Sequence, residues 1–112
     1  MVQIWHNSRC SKSRLAFNYL KDNEIEFEVV EYLKNPPTKD ELIEVLEKLN
    51  LKPSELVRKK EAIFKELNLK DANENEILEA MVNNPKLIER PIIINGNKAV
   101  VARPLEVIKS IL

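Results

Sequence analysis

The stretch Val2-Gln3-Ile4-Trp5-His6-Asn7-Ser8-Arg9-Cys10-Ser11-Lys12-Ser13-Arg14-Leu15-Ala16-Phe17-Asn18-Tyr19-Leu20-Lys21-Asp22 decides the fold. Val2 to His6 is short, mostly apolar and rich in strand formers, and Asn7 and Ser8 break it with turn chemistry. It reads as a buried first strand. From Ser11 to Asp22 the apolar positions Leu15, Ala16, Tyr19 and Leu20 recur at helical spacing, with Lys12, Arg14, Asn18 and Lys21 on a polar face. That pattern predicts an amphipathic helix. Glu26 to Tyr32 then alternates in polarity, which suits a strand with one wet face. A right-handed crossover lays it parallel to the first strand, so the chain opens as a βαβ unit.

Asn35, Pro36 and Pro37 close that unit, and Thr38 followed by Glu41 is a capping box that opens a helix with the stripe Leu42, Val45, Leu46 and Leu49. Pro53 and Ser54 start a further turn, Glu61 to Leu67 predicts a short helix, and Glu74 to Asn83 carries Ile77, Leu78, Met81 and Val82 on one face. This helical middle, about residues 36–88, reads as an insertion within one domain spanning 1–112. Strand character returns at Pro91 to Asn95, where three successive isoleucines imply burial on both faces, and Asn95-Gly96-Asn97 turns the chain into Lys98 to Val101. A last helix is expected, with Pro104 in its first turn and Val107, Ile108, Ile111 and Leu112 as its apolar face. The order βαβ, helices, ββα predicts an α/β protein: a thioredoxin-like, mixed four-stranded sheet with a helical insertion.

Composition narrows the function. With 112 residues, 44% of them hydrophobic, the chain can close one core. Its 18 basic and 18 acidic side chains cancel, so no global field favours nucleic acid or an anionic membrane, and any anion site must be built locally. An aromatic content of 5% offers no stacking platform for nucleic acid. No apolar run approaches the ~20 residues that cross a bilayer, and the N-terminus lacks the regions of a secretory signal, so the cytoplasm is the expected compartment. The single glycine rules out glycine-rich phosphate loops, and the single histidine leaves the usual zinc sites without ligands. No bound cofactor or metal is expected. The single cysteine excludes an internal disulfide, so redox work by Cys10 requires a thiol from outside.

Cys10 falls between the first strand and first helix, where free N–H groups and the helix dipole favour an anion. A free cysteine is ~3% thiolate at pH 7; a pKa lowered by about two units makes most of it reactive. Lone intracellular cysteines are usually small buried hydrophobes. This one is flanked by Asn7, Ser8, Arg9, Ser11, Lys12, Ser13 and Arg14, a hydroxyl-rich and basic segment that argues for a functional thiol.

The run His6 to Arg14 resembles the active loop of the glutaredoxin-coupled arsenate reductases, the ArsC-like proteins of thioredoxin fold. Further similar segments follow in order: Tyr32-Leu33-Lys34-Asn35-Pro36-Pro37 with Asp40-Glu41-Leu42, Leu56-Val57-Arg58-Lys59, Glu89-Arg90-Pro91-Ile92, and Arg103-Pro104 with Glu106-Val107. The resemblance covers nearly the whole chain; one departure is Ser8, where the family usually carries proline. It implies that Cys10 is the nucleophile and that Arg58, Arg90 and Arg103 bind the oxyanion and keep the sulfur ionised. Guanidinium forks suit this task, since each can hold two oxygens and stays charged. Arg90 and Arg103 each precede a proline, which biases them to extended backbone at element ends. Pro91 resembles the cis-proline that thioredoxin-like folds place opposite the cysteine. His6 and Ser13 match positions that tune the thiol, His6 by electrostatics and Ser13 by a side-chain hydrogen bond to sulfur. Their plainer roles are a packed histidine and a serine solvating the first helical turn. Asn7 can order the loop through its side-chain amide.

The implied reaction is reduction of arsenate: a Cys10 adduct is attacked by glutathione as co-substrate, glutaredoxin restores the thiol, and arsenite leaves. Two rivals share the fold. One is an Spx-type regulator that binds RNA polymerase; redox-switching members carry Cys-x-x-Cys, whereas Cys10-Ser11-Lys12-Ser13 cannot form that disulfide. The other is a thiol enzyme acting on a different oxyanion or on glutathione mixed disulfides.

Overall fold

In the computed structural model, which describes residues 1–112, the opening segment forms strand β1 (Val2–Trp5), helix α1 (Ser11–Asp22) and strand β2 (Phe27–Val30). β2 lies parallel to β1, with Val2 opposite Phe27 and Ile4 opposite Val29. β3 (Ile92–Asn95) runs antiparallel on the other side of β1, and β4 (Lys98–Val101) antiparallel to β3. The result is a mixed four-stranded sheet in the order β2-β1-β3-β4. Gly96 takes φ +63° at the first position of the two-residue turn between Asn95 and Lys98, the place where a type II′ hairpin needs glycine.

The chain divides into two compact units: residues 1–35 with 90–112, and residues 36–89. In the first, one face of the sheet contributes Val2, Ile4 and Ile93 to a core completed by Ala16 and Leu20 of α1 and by Ala102, Ile108 and Ile111. On the opposite face Trp5, Ile92 and Ile94 are also buried, so the three isoleucines are enclosed as their run predicts. Phe17 meets Phe27 edge to face at 5.3 Å, locking α1 against β2.

The second unit holds α2 (Lys39–Leu49), α3 (Pro53–Leu56), α4 (Ala62–Glu66) and α5 (Glu74–Asn83), with short 3-10 turns at Leu69–Asp71 and Pro85–Leu87. Thr38 and Glu41 form the reciprocal capping box read from the sequence; Asn73 and Glu76 form a second, at α5, that was not. Leu42, Val45 and Leu46 of α2 and Ile77, Leu78 and Met81 of α5 are buried. No helix is long and apolar enough to cross a membrane.

The structure corrects three expectations. The last helix is a 3-10 helix over Leu105–Ile111, with Pro104 preceding it rather than within its first turn. Its apolar residues Leu105, Ile108 and Ile111 recur every third position, the period of a 3-10 turn, and all three pack on the sheet core, while Leu112 is 48% exposed. Leu15 does not join the buried stripe of α1 but is 51% exposed; Ser13 takes the inward position instead, with no exposure. β2 is shorter than Glu26 to Tyr32, and Glu28 and Val29 are both exposed, as an edge strand allows.

α1 ends in a Schellman motif: Ile25 N–H reaches Leu20 C=O and Glu24 N–H reaches Lys21 C=O, with Glu24 at φ +56°. A side chain there is strained, so Glu24→Gly is expected to raise stability by about 0.5–1 kcal/mol, read as a higher urea midpoint at unchanged slope.

Candidate active site

Cys10 is the N-cap residue of α1, with extended backbone at φ −95° and ψ 123°. The loop that presents it is closed by its own hydrogen bonds. Asn7 C=O accepts from Cys10 N–H at 3.0 Å, and Asn7 Oδ1 accepts from Arg9 N–H at 3.0 Å, the ordering role expected of Asn7. Ser8, standing where the family usually has proline, is the second residue of this turn, a position proline favours. Here Arg14 Nη1 ties the loop instead, donating to Ser8 C=O at 3.0 Å.

A second layer of contacts lies beneath the loop. His6 Nδ1 and Ser13 Oγ share a hydrogen bond of 2.6 Å, Asn7 N–H donates to the same oxygen at 3.0 Å, and the imidazole stacks on Phe17 with centroids 5.1 Å apart. Ser13 is therefore a buried tether, not a solvated hydroxyl. Its side chain serves His6 and the Asn7 backbone, and it is the Ser13 backbone N–H that faces the sulfur. Burial pushes the His6 pKa below its usual 6.5, with Glu31 opposing and Arg14 reinforcing the change. At pH 7 His6 is thus mainly neutral and supplies a hydrogen bond rather than a charge.

This has a consequence for stability. The unfolded chain takes up the His6 proton at a higher pH than the folded chain, so between the lowered value and 6.5 stability rises with pH. Acidification through that window is expected to lower the urea midpoint of the native protein, and His6→Asn is expected to remove this part of the slope.

The Cys10 thiol is partly exposed. Burial by itself would raise its pKa, but the Ser13 N–H, the Arg90 guanidinium and the Lys12 N–H outweigh it and hold the pKa below its ordinary 9.0. The thiol makes no regular capping hydrogen bond, yet the N–H groups of the first turn face it as they would a capping oxygen. Arg103 adds a second cation, its Nη2 lying 3.8 Å from Sγ. Arg103 is itself aimed by Arg90, whose carbonyl accepts from Arg103 Nε at 2.7 Å. The two arginines lie side by side at the open end of the β3–β4 hairpin, one just before β3 and the other just after β4, and both precede cis prolines, Pro91 and Pro104. The Pro91 isomer matches the expected one; that of Pro104 had no sequence signal.

Of the residues singled out from the sequence, Cys10, His6, Ser13, Arg90 and Arg103 belong to the sheet unit. Arg58 belongs to the helical unit, where Nη1 pairs with Glu61 Oε2 at 3.1 Å and the backbone N–H donates to Leu87 C=O. Lys12 reads from the sequence as part of the basic segment; its contribution is a first-turn backbone N–H of the kind expected at the strand-to-helix junction. Chemically, a thiolate beside two guanidinium groups can attack an electrophilic centre whose oxygens carry negative charge.

A family model described as the ArsC family matches residues 5–111. The chain belongs to the ArsC family. An arsenate reductase of Neisseria meningitidis is 42% identical over 99% of this chain and 97% of its own length. The uncharacterized protein YfgD of Escherichia coli K12 is 48% identical over 94% of this chain and 91% of its own. Among solved structures, an arsenate reductase from Vibrio cholerae superposes with a TM-score of 0.95 at 38% identity, covering 99% of this chain and 97% of that one. The Vibrio cholerae structure shares this chain's fold, so the mixed four-stranded sheet with helices expected from the sequence is that of a solved ArsC-type relative.

Proposed function

We propose that this ArsC-family protein is an arsenate reductase in which Cys10 is the nucleophile. The observation that carries the reading is the sulfur itself: a partly exposed thiol with a lowered pKa, faced by two N–H groups of α1 and flanked by Arg90 and Arg103. Arsenate binds with its oxygens on the arginines, and the Cys10 thiolate attacks arsenic, forming a sulfur–arsenic bond while one oxygen leaves as water. The guanidinium groups balance the charge on the remaining oxygens. The family resemblance adds Arg58 as a third oxyanion ligand.

The adduct needs two electrons, and this chain has one thiol to give. A glutathione thiolate attacks the Cys10 sulfur, a disulfide forms between them, and the electron pair of the sulfur–arsenic bond passes to arsenic, which leaves as arsenite. Glutaredoxin then takes the glutathione from Cys10 and restores the thiol. Such a thiol supply belongs to a reducing compartment, the cytoplasm.

The test is arsenite release by the purified chain with glutathione and glutaredoxin, each also omitted in turn. Sustained release that needs both supports the scheme. Absence of release with every reductant, alongside turnover of another tetrahedral oxyanion, assigns the site to a different substrate.

A further inference from the structure

The helical unit holds a cavity of its own, about 380 Å³ in volume, walled by side chains from α3 through α5. That is enough room for a small organic ligand. Val57, Leu69 and Ile77, each 5% exposed or less, and the half-buried Phe64 of α4 give it an apolar wall. Phe17 and Phe27 each meet another ring, whereas Phe64 has no ring neighbour, so its aromatic surface is left to an occupant.

The charges at this cavity are all of one sign. Lys59, in the segment after α3, and Lys70, in the 3-10 turn Leu69–Asp71, both line it, and no acidic residue does. Both lysines are exposed and neither is in an ion pair; the ion pairs of the chain use Lys34, Lys39, Lys48 and Arg58. The carboxylate bound to the lining residue Ser54 is that of Glu74, and it is already occupied: it accepts from Ser54 N–H at 3.0 Å, and its hydrogen bonds from Ser54 hold its pKa below the ordinary 4.5. In a chain whose formal charges cancel, two unpaired cations over an apolar cavity form a local excess of positive charge.

We infer that this cavity binds a small aromatic carboxylate, with its ring against Phe64, Leu69 and Ile77 and its carboxylate between Lys59 and Lys70. The ring takes apolar surface out of water and gains an aromatic contact with Phe64. Two ammonium groups on flexible stems close on the carboxylate from either side. Val57 and Lys59 flank Arg58, so the occupant rests against the chain on both sides of that arginine. Nothing in the assignment depends on the chemistry of Cys10, and it stands whether or not the protein reduces arsenate.

The probe is 2-naphthoate, titrated into the whole chain at pH 7 and followed by the amide resonances in NMR, with neutral 2-naphthylmethanol as its uncharged counterpart. Saturable shifts are expected at the amides of Val57, Arg58, Lys59, Phe64 and Lys70, with the acid binding about tenfold more tightly than the alcohol. Lys59→Glu and Lys70→Glu are each expected to weaken naphthoate by about tenfold and to leave the alcohol unchanged; both positions are exposed, so the fold is kept. Phe64→Leu should weaken acid and alcohol alike, by about fivefold, because it removes the ring contact and no charge. Absence of saturable shifts at these amides, or equal affinity for the acid and the alcohol, overturns the assignment. Tighter binding of a short peptide ending in phenylalanine than of 2-naphthoate also overturns it and gives the cavity to the C-terminus of a partner chain.

Discussion

Cys10→Ser is expected to abolish arsenite release, with a loss of at least about 10⁴-fold, while leaving the fold intact. The loss is large because every contact around the sulfur acts on its charge. The Ser13 and Lys12 N–H groups and the Arg90 guanidinium outweigh burial and hold the thiol pKa below its ordinary value. The same contacts cannot bring an aliphatic hydroxyl near neutrality. A serine would need a general base, and the histidine on this loop is engaged by Ser13 at 2.6 Å. The fold persists because the thiol is partly exposed and makes no capping hydrogen bond that the helix depends on. One difference in stability should nevertheless appear. A folded pKa below the ordinary 9.0 means that the thiolate stabilises the native state increasingly as pH rises through the folded value towards 9. The native chain should therefore gain on Cys10→Ser across that window, and urea midpoints measured from neutral to alkaline pH read it directly. A variant that kept releasing arsenite would move the chemistry away from this sulfur altogether.

The sequence carried the fold where chemistry is local. Strand formers ending at Asn7, the helical spacing after Ser11 and the Thr38–Glu41 box each act over a few residues, and each element is found within a residue or two of where its pattern places it. Helix ends were harder. With one glycine in the chain, the left-handed stop positions are taken by Glu24, Asn50 and Asn68, residues that also occur freely within helices or loops. The last helix misled because a period of three over Leu105, Ile108 and Ile111 differs little from 3.6 in seven residues. At the site, residue types could be read but not their division of labour. Ser13 is expected to hydrogen-bond the sulfur through its side chain, or else to solvate the first turn, and Leu15 to join the buried stripe. The register of α1 against the sheet instead points Ser13 at His6 and Leu15 outwards.

Arg90→Lys is expected to lower kcat/KM for arsenate by about 10²–10³-fold, an effect that separates geometry from charge. Arg90 is buried, 7% exposed, and acts in two ways: its guanidinium hydrogen-bonds and attracts the Cys10 thiolate, and its carbonyl fixes Arg103 through Nε at 2.7 Å. Lysine preserves the second, which is backbone, and removes the fork that makes the first directional. The buried ammonium is also the more costly cation to desolvate, so part of the charge beside sulfur is lost at neutral pH. Two readouts should therefore move together. The Cys10 pKa rises towards its ordinary value, seen in ultraviolet thiolate absorbance and in the pH dependence of alkylation, and the acid limb of the activity profile shifts up with it. Arg103→Lys breaks the Nε bond to Arg90 but touches sulfur only across 3.8 Å, so it should weaken arsenate binding while moving the thiol pKa less. If instead Arg90→Lys leaves the thiol titration where it is and raises only KM, then Arg90 is an oxyanion ligand alone. The acidity of Cys10 would in that case be set by the N–H groups at the start of α1.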